Sequence, residues 1–96
     1  MNPNKFHRIS KALADPRRLE ILERVAHADE VACATLVSKF PVSQATISHH
    51  LKELANAGLI KVRREAKFCF YRLEKKIWAE YLAEIQRRIP VSSRRS

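Results

Sequence analysis

Pro41-Val42-Ser43-Gln44-Ala45-Thr46-Ile47-Ser48-His49-His50-Leu51-Lys52-Glu53-Leu54, closed by Gly58, is the stretch whose reading decides the fold. Ser43 is a helix-capping residue placed just before an apolar stripe, Ile47, Leu51 and Leu54, with spacings of four and three. Gly58 supplies the stop. The first two turns crowd small polar side chains beside that stripe. Such a helix can bury its stripe and aim its N-terminal turns at a polar target, for which the base edges of a DNA major groove are one candidate. An ordinary amphipathic surface helix would look the same in isolation, so the neighbouring segments have to choose between the two.

Working outward on the N-terminal side, Pro41-Val42 is a turn and Val31 to Phe40 reads as a short helix with Leu36, Val37 and Phe40 inward. His27 to Glu30 reads as a loop. Asp15-Pro16 is a strong helix start, a capping carboxylate followed by the residue suited to the first helical position, with Leu19, Leu22 and Val25/Ala26 as the buried stripe. Asn4 to Ala14, carrying Phe6, Ile9 and Leu13, is the first helix. On the C-terminal side, Leu59 to Arg64 alternates and is β-branched, and Phe68 to Leu73 is rich in aromatics. The polar connector Glu65-Ala66-Lys67 makes them a hairpin with a basic tip. Glu74 to Ile89 returns to helical spacing, and Pro90 ends it. The order is three helices, a turn, a fourth helix, a hairpin and a last helix. This is a mainly α, α+β fold of the winged helix-turn-helix type. It comprises one domain over residues 4–89, with 90–96 expected to be a basic, disordered tail.

Length and charge narrow the function. Ninety-six residues make a single small domain, and two cysteines with one glycine exclude a disulfide scaffold. No apolar run reaches the roughly 18 residues of a membrane span, and Met1 to Ala14 has no signal-peptide core, so a cytoplasmic protein with reduced thiols is expected. The formal charge is +9. Residues 1–48 hold seven Lys/Arg against five Asp/Glu, and residues 49–96 hold twelve against five. A basic excess gathered in one half suits a polyanion. Nucleic acid is favoured over a membrane surface, because no segment joins a lysine-rich face to a broad apolar one.

Three blocks, Asp15-Pro16-Arg17-Arg18-Leu19-Glu20-Ile21-Leu22, Ser43-Gln44-Ala45-Thr46-Ile47-Ser48-His49-His50-Leu51 and Gly58-Leu59-Ile60, resemble the ArsR/SmtB family of winged-helix repressors. The likeness runs from about Phe6 to Arg88. It implies a cytoplasmic, nucleoid-associated homodimer that binds a palindromic operator in double-stranded DNA and represses a promoter until an inducer releases it. The physical reading of the side chains points the same way. Gln44, Thr46, Ser48 and His49 are candidates for base edges, Ala45 for close approach to a thymine methyl, the capping amides near Ser43 and the Lys52 side chain for phosphates, and Arg63, Arg64 and Lys67 for the flanking backbone or minor groove. Arg17 and Arg18 fit either a phosphate contact or surface decoration. Phe6, Ile9, Trp78, Tyr81, Leu82 and Ile85 offer more apolar surface than one small chain covers, and are the expected dimer interface.

The sensor is less legible. Metal-sensing members usually carry Glu-Leu-Cys-Val-Cys-Asp-Leu on the third helix, where this chain has Glu30-Val31-Ala32-Cys33-Ala34-Thr35-Leu36. Alanines replace both ligand cysteines, and one thiol cannot complete a site of three or four ligands. On the last helix Glu80 and Glu84 stand without His or Cys and read as solvated. No metal and no cofactor are expected. Cys33 and Cys69 are a possible thiol-based redox sensor, although nothing in the sequence brings them together and two buried, inert thiols is the favoured reading. Ala66 stands where the family commonly has Gly, so a wing turn needing positive φ there would be strained. Catalysis is disfavoured, since Ser48, His49 and His50 lie on one helix and cannot converge. A winged-helix module that contacts protein and binds DNA nonspecifically remains the alternative function.

Overall fold

The computed structural model describes residues 1–91; the rest of the expected tail lies outside the described residues. Three of the helices begin where a side chain satisfies orphan amides. Asn2 accepts from the Asn4 amide at 2.7 Å and opens α1 (Pro3–Leu13). Asp15 accepts from the Arg18 amide at 3.0 Å and opens α2 (Pro16–Ala26). The buried face of α2 is Ile21, Leu22 and Val25 rather than a stripe beginning at Leu19, which is exposed. The inward position one turn before Ile21 and Leu22 is taken by Arg18, half-buried and donating to the Ala12 carbonyl at 3.3 Å and to His50 Nδ1 at 3.4 Å. Arg18 therefore ties α1, α2 and the fourth helix together. Arg17 pairs with Glu20 at 3.1 Å and lies 5.6 Å over the Phe40 ring.

The expected third helix divides in two. Val31–Ala32 is a short strand, β1, and α3 spans Cys33–Lys39 with Leu36 buried. Then Ser43 caps α4 (Gln44–Asn56). That helix closes as a Schellman motif: Gly58 donates to the Ala55 carbonyl at 2.9 Å and Leu59 to that of Leu54 at 3.0 Å. Gly58 adopts φ +82°, which this closure requires. Two strands follow, β2 (Ile60–Glu65) and β3 (Phe68–Leu73), and with β1 they form an antiparallel sheet in the order β1-β3-β2. The hairpin pairs Ile60 with Leu73 and Glu65 with Phe68, leaving Ala66 and Lys67 as a two-residue turn. Ala66 does take positive φ, +54°, at the first central position, where Gly is favoured in a type II′ turn.

The last helix, α5 (Lys75–Arg88), packs on α1 through stacked Phe6 and Tyr81 rings 5.1 Å apart and a hydrogen bond of 2.8 Å between the Ser10 and Tyr81 hydroxyls. Ile9, Ile21, Val25, Leu36, Ile47, Leu51, Leu54 and Leu59 are the fully buried centre. Ile9 and Tyr81 are therefore core residues of the chain itself, which corrects their assignment to a dimer interface. Glu84 is also corrected. It is buried, not solvated, and holds Arg87, Arg88 Nε at 2.8 Å and the Met1 amine at 3.7 Å. Arg87 and Arg88 hold its carboxyl down at about 2.

Candidate DNA-binding surface

At 100° per residue, Gln44, Ser48, Lys52, Ala45 and His49 fall within an arc of about 140° on α4, and all five are exposed. Ile47, His50, Leu51 and Leu54 occupy the opposite side and are buried. Packing against the core thus fixes which face looks outward, as a recognition helix requires. Among the described residues, the side chains of Gln44, Ser48, His49 and Lys52 make no hydrogen bond or ion pair, so their polar groups are available. Ser43 and Thr46 are differently placed. The Ser43 hydroxyl accepts from the Thr46 amide at 3.1 Å and donates to Thr46 Oγ1 at 3.0 Å. Both hydroxyls are engaged in the cap, and Thr46 is half-buried.

His50 was not singled out as a site residue by its sequence context, and the structure gives it a supporting part. Burial pushes its pKa down, only partly offset by the Asp15 carboxylate. The ring accepts from Arg18 at Nδ1, which places the neutral form's proton on Nε2. His50 thereby braces the back of the recognition face against α2.

The wing stands beside the start of α4, and the three of its basic residues expected at DNA separate. Arg63 is not a free tip cation: it donates to both Glu30 oxygens at 2.8 and 3.0 Å and to Glu65 at 2.5 Å, with its guanidinium 4.5 Å over the Phe70 ring. Arg63 in turn holds the Glu30 carboxyl below its ordinary range. Its alternation phase sets it on the face of the hairpin with Lys61 and Glu65, where two carboxylates share its charge. Arg64 faces the other way and donates to Cys69 Sγ at 3.1 Å. Lys67 lies at the turn, its ammonium 5.8 Å from the Phe68 ring centre. Of these three, Arg64 and Lys67 face outward without a carboxylate partner among the described residues.

The fold and this surface find matches among known proteins. A family profile described as a helix-turn-helix domain matches residues 13–63. The arsenical resistance operon repressor of Staphylococcus xylosus is 37% identical over 73 residues, 76% of this chain and 69% of that protein. The chain belongs to the ArsR/SmtB family of winged helix-turn-helix transcriptional regulators. An uncharacterised HTH-type transcriptional regulator of Methanocaldococcus jannaschii is 39% identical over 67 residues, 70% of this chain and 75% of that protein. The solution structure of a homodimeric winged helix-turn-helix DNA-binding domain from Mycobacterium bovis, titled a possible ArsR-family regulator, superposes with a TM-score of 0.73. It is 32% identical and the match covers 86% of this chain and 76% of that one. As an ArsR-type protein, this chain is a transcriptional regulator with a DNA-binding helix-turn-helix domain.

The thiols and the apolar face of α5 also need correcting against expectation. Cys33 and Cys69 are half-buried, not buried, and line one groove. The missing link in the sequence was β1, too short to show an alternation. Among the described residues, no three His, Cys, Asp or Glu side chains are grouped to hold a metal ion. Trp78, Leu82 and Ile85 of α5 and Ile89 just past its end follow one another at spacings of four, three and four. Leu82 is 47% and Ile89 71% exposed, while Trp78, Ile85 and the adjacent Phe6 are half-buried. Ile89 belongs to this stripe and was absent from the expected interface, although its spacing announced it. No helix among the described residues is long and apolar enough to cross a membrane.

Proposed function

We propose that this protein is a homodimeric, cytoplasmic, nucleoid-associated repressor that binds a palindromic operator through α4. The observation that carries the reading is the outward arc of Gln44, Ala45, Ser48, His49 and Lys52, held opposite a buried stripe and flanked by the wing. Gln44, Ser48 and His49 read base edges, Ala45 permits close approach to a thymine methyl, and Lys52 meets a phosphate. Ser43 and Thr46 present the capped helix end, whose amides favour a phosphate. Arg64 and Lys67 reach the backbone or minor groove beyond, and Arg63 fixes the hairpin that carries them. A second copy docks on the α5 stripe of Trp78, Leu82, Ile85 and Ile89 together with Phe6, so that two α4 helices meet two half-sites. The homodimeric state of the Mycobacterium bovis neighbour supports this. For the inducing signal, the thiol reading is favoured by the shared groove of Cys33 and Cys69.

The test is competition binding on a duplex selected by the protein from a random pool. Each good base contact discriminates by about 1–3 kcal/mol, so replacing both Ser48 and His49 by Ala weakens the selected site about thirtyfold or more while leaving random DNA little changed. Equal affinity of wild type for selected and random duplex would instead identify a winged-helix interaction module.

A further inference from the structure

The two cysteines line one groove beneath the outer part of the wing, with Cys69 one ladder pair from its turn. β1 pairs with β3 with Val31 opposite Tyr71 and Ala32 opposite Phe70. Cys33 opens α3 one residue past the end of this ladder, and Cys69 is the β3 residue next in line, so the two lie side by side along the groove. Facing residues of an antiparallel pair have Cα atoms about 4.5–5.5 Å apart, within the span of about 4.4–6.8 Å that a disulfide bridges. Both thiols are free and half-buried, and both border the groove that Gln44 of α4 and Lys67 of the wing also line. The Arg64 guanidinium sits 3.1 Å from Cys69 Sγ. A partly exposed thiol in a basic setting is where cysteine chemistry happens, unlike one sealed in an apolar core.

We propose that Cys33 and Cys69 are a dithiol oxidised by hydroperoxides to a reversible intramolecular disulfide, and that the oxidised protein binds its operator more weakly. The regulatory consequence rests on the repressor reading above; the disulfide itself does not. Cys69, beside Arg64, is the first nucleophile. Its sulfur attacks one peroxide oxygen, the O–O bond breaks, and the departing hydroxide leaves as water with the thiol proton. Cys69 is then a sulfenic acid. Burial, reinforced by the neighbouring Cys69 sulfur, pushes the Cys33 thiol up, which suits the slower, resolving role. The Cys33 sulfur attacks the sulfenic sulfur, the S–S bond forms, the S–O bond breaks and a second water carries off the Cys33 proton. Two thiols lose two electrons and two protons, and one hydrogen peroxide becomes two waters.

The position gives the bond its leverage. Cys69 pairs with Arg64 in the wing ladder, and Cys33 is the first residue of α3, the helix that leads through the turn to α4. An S–S bond of about 2.05 Å draws together two sulfurs that otherwise keep van der Waals distance. The wing is thereby pulled onto the base of the helix-turn-helix, which changes its angle to α4.

The experiment treats the full chain with hydrogen peroxide, then with dithiothreitol, and follows intact mass, free thiols, non-reducing electrophoresis and affinity for the selected duplex. The expected result is loss of two hydrogens per chain without covalent dimers, with affinity lowered about tenfold or more and recovered on reduction. Cys33→Ser and Cys69→Ser each bind like the reduced protein and do not respond; circular dichroism checks that they fold. The proposal is overturned if both thiols stay free, if only oxygen-added or intermolecular products appear, or if the disulfide forms with affinity unchanged. If the reduced protein shows no preference for the selected duplex, the repressor reading falls, while the mass and thiol readouts still decide the disulfide.

Discussion

At His50 a buried ring joins α4 to α2 by a hydrogen bond from Arg18. It is 8% exposed and accepts from Arg18, so the neutral form is the one that fits. Its folded-state pKa lies below the unfolded value of about 6.5. Stability from this ring is therefore present above that value and is lost as pH falls from it through the lowered folded pKa. The thermal midpoint of the wild type should drop more steeply between about pH 7 and pH 5 than that of His50→Gln, whose amide oxygen can still accept from Arg18. The other three histidines are common to both proteins, so parallel curves would remove His50 from the account. Ala66 makes the complementary case, a residue in a conformation that disfavours it. Left-handed backbone costs a non-glycine residue about 1–2 kcal/mol, part of which glycine gives back as chain entropy. Ala66→Gly should stabilise the protein by about 0.5–1 kcal/mol, and calorimetry should show a midpoint raised at about 4–8 °C per kcal/mol.

Among the elements, those with start and stop chemistry were legible from sequence. Asp15-Pro16 and Ser43 with Gly58 bounded α2 and α4 to within a residue or two, because caps and a Schellman glycine are local devices. What was illegible depended on partners distant in sequence. β1 is two residues long, too short for a period, and exists only because β3 offers it a ladder. Missing it hid both the early turn into α3 and the shared groove of Cys33 and Cys69. Likewise Arg18 reads as surface charge until the Ala12 carbonyl and His50 are beside it. The outward face of α4 was readable because helical phase alone separates Gln44, Ser48 and His49 from Ile47 and Leu51. The wing was readable in charge but not in pairing, since Glu30 comes to Arg63 from 33 residues away. The distinction predicts two different phenotypes. Lys67→Ala should flatten the dependence of log affinity on log salt by about 0.9 for one lost phosphate contact. Arg63→Ala should leave that slope unchanged and lower stability by up to about 1 kcal/mol, as befits an exposed ion pair. A slope that falls equally in both would return Arg63 to the DNA.

Over the whole molecule, the formal charge overstates what faces DNA. Of the basic excess in residues 49–96, Arg87 and Arg88 serve Glu84, Arg63 serves Glu30 and Glu65, and Lys61 pairs with Glu74 at 3.2 Å. The Glu84 cluster, with Arg88 stacked 3.9 Å over Phe6, locks α1 to α5 and so holds the apolar stripe of α5 outward as one rigid face. In the proposed repressor one wing and one α4 cover one half-site, and a dimer through the stripe covers two. Leu82 is the probe of choice because it is half exposed, so a charge there burdens a partner and not the core. Leu82→Lys should sediment as a monomer with unchanged circular dichroism. Its affinity for the full palindrome should fall by about a hundredfold or more, toward that of one half-site, since the second contact is no longer intramolecular. A variant that remains dimeric at the same concentration would move the two-fold axis away from α5.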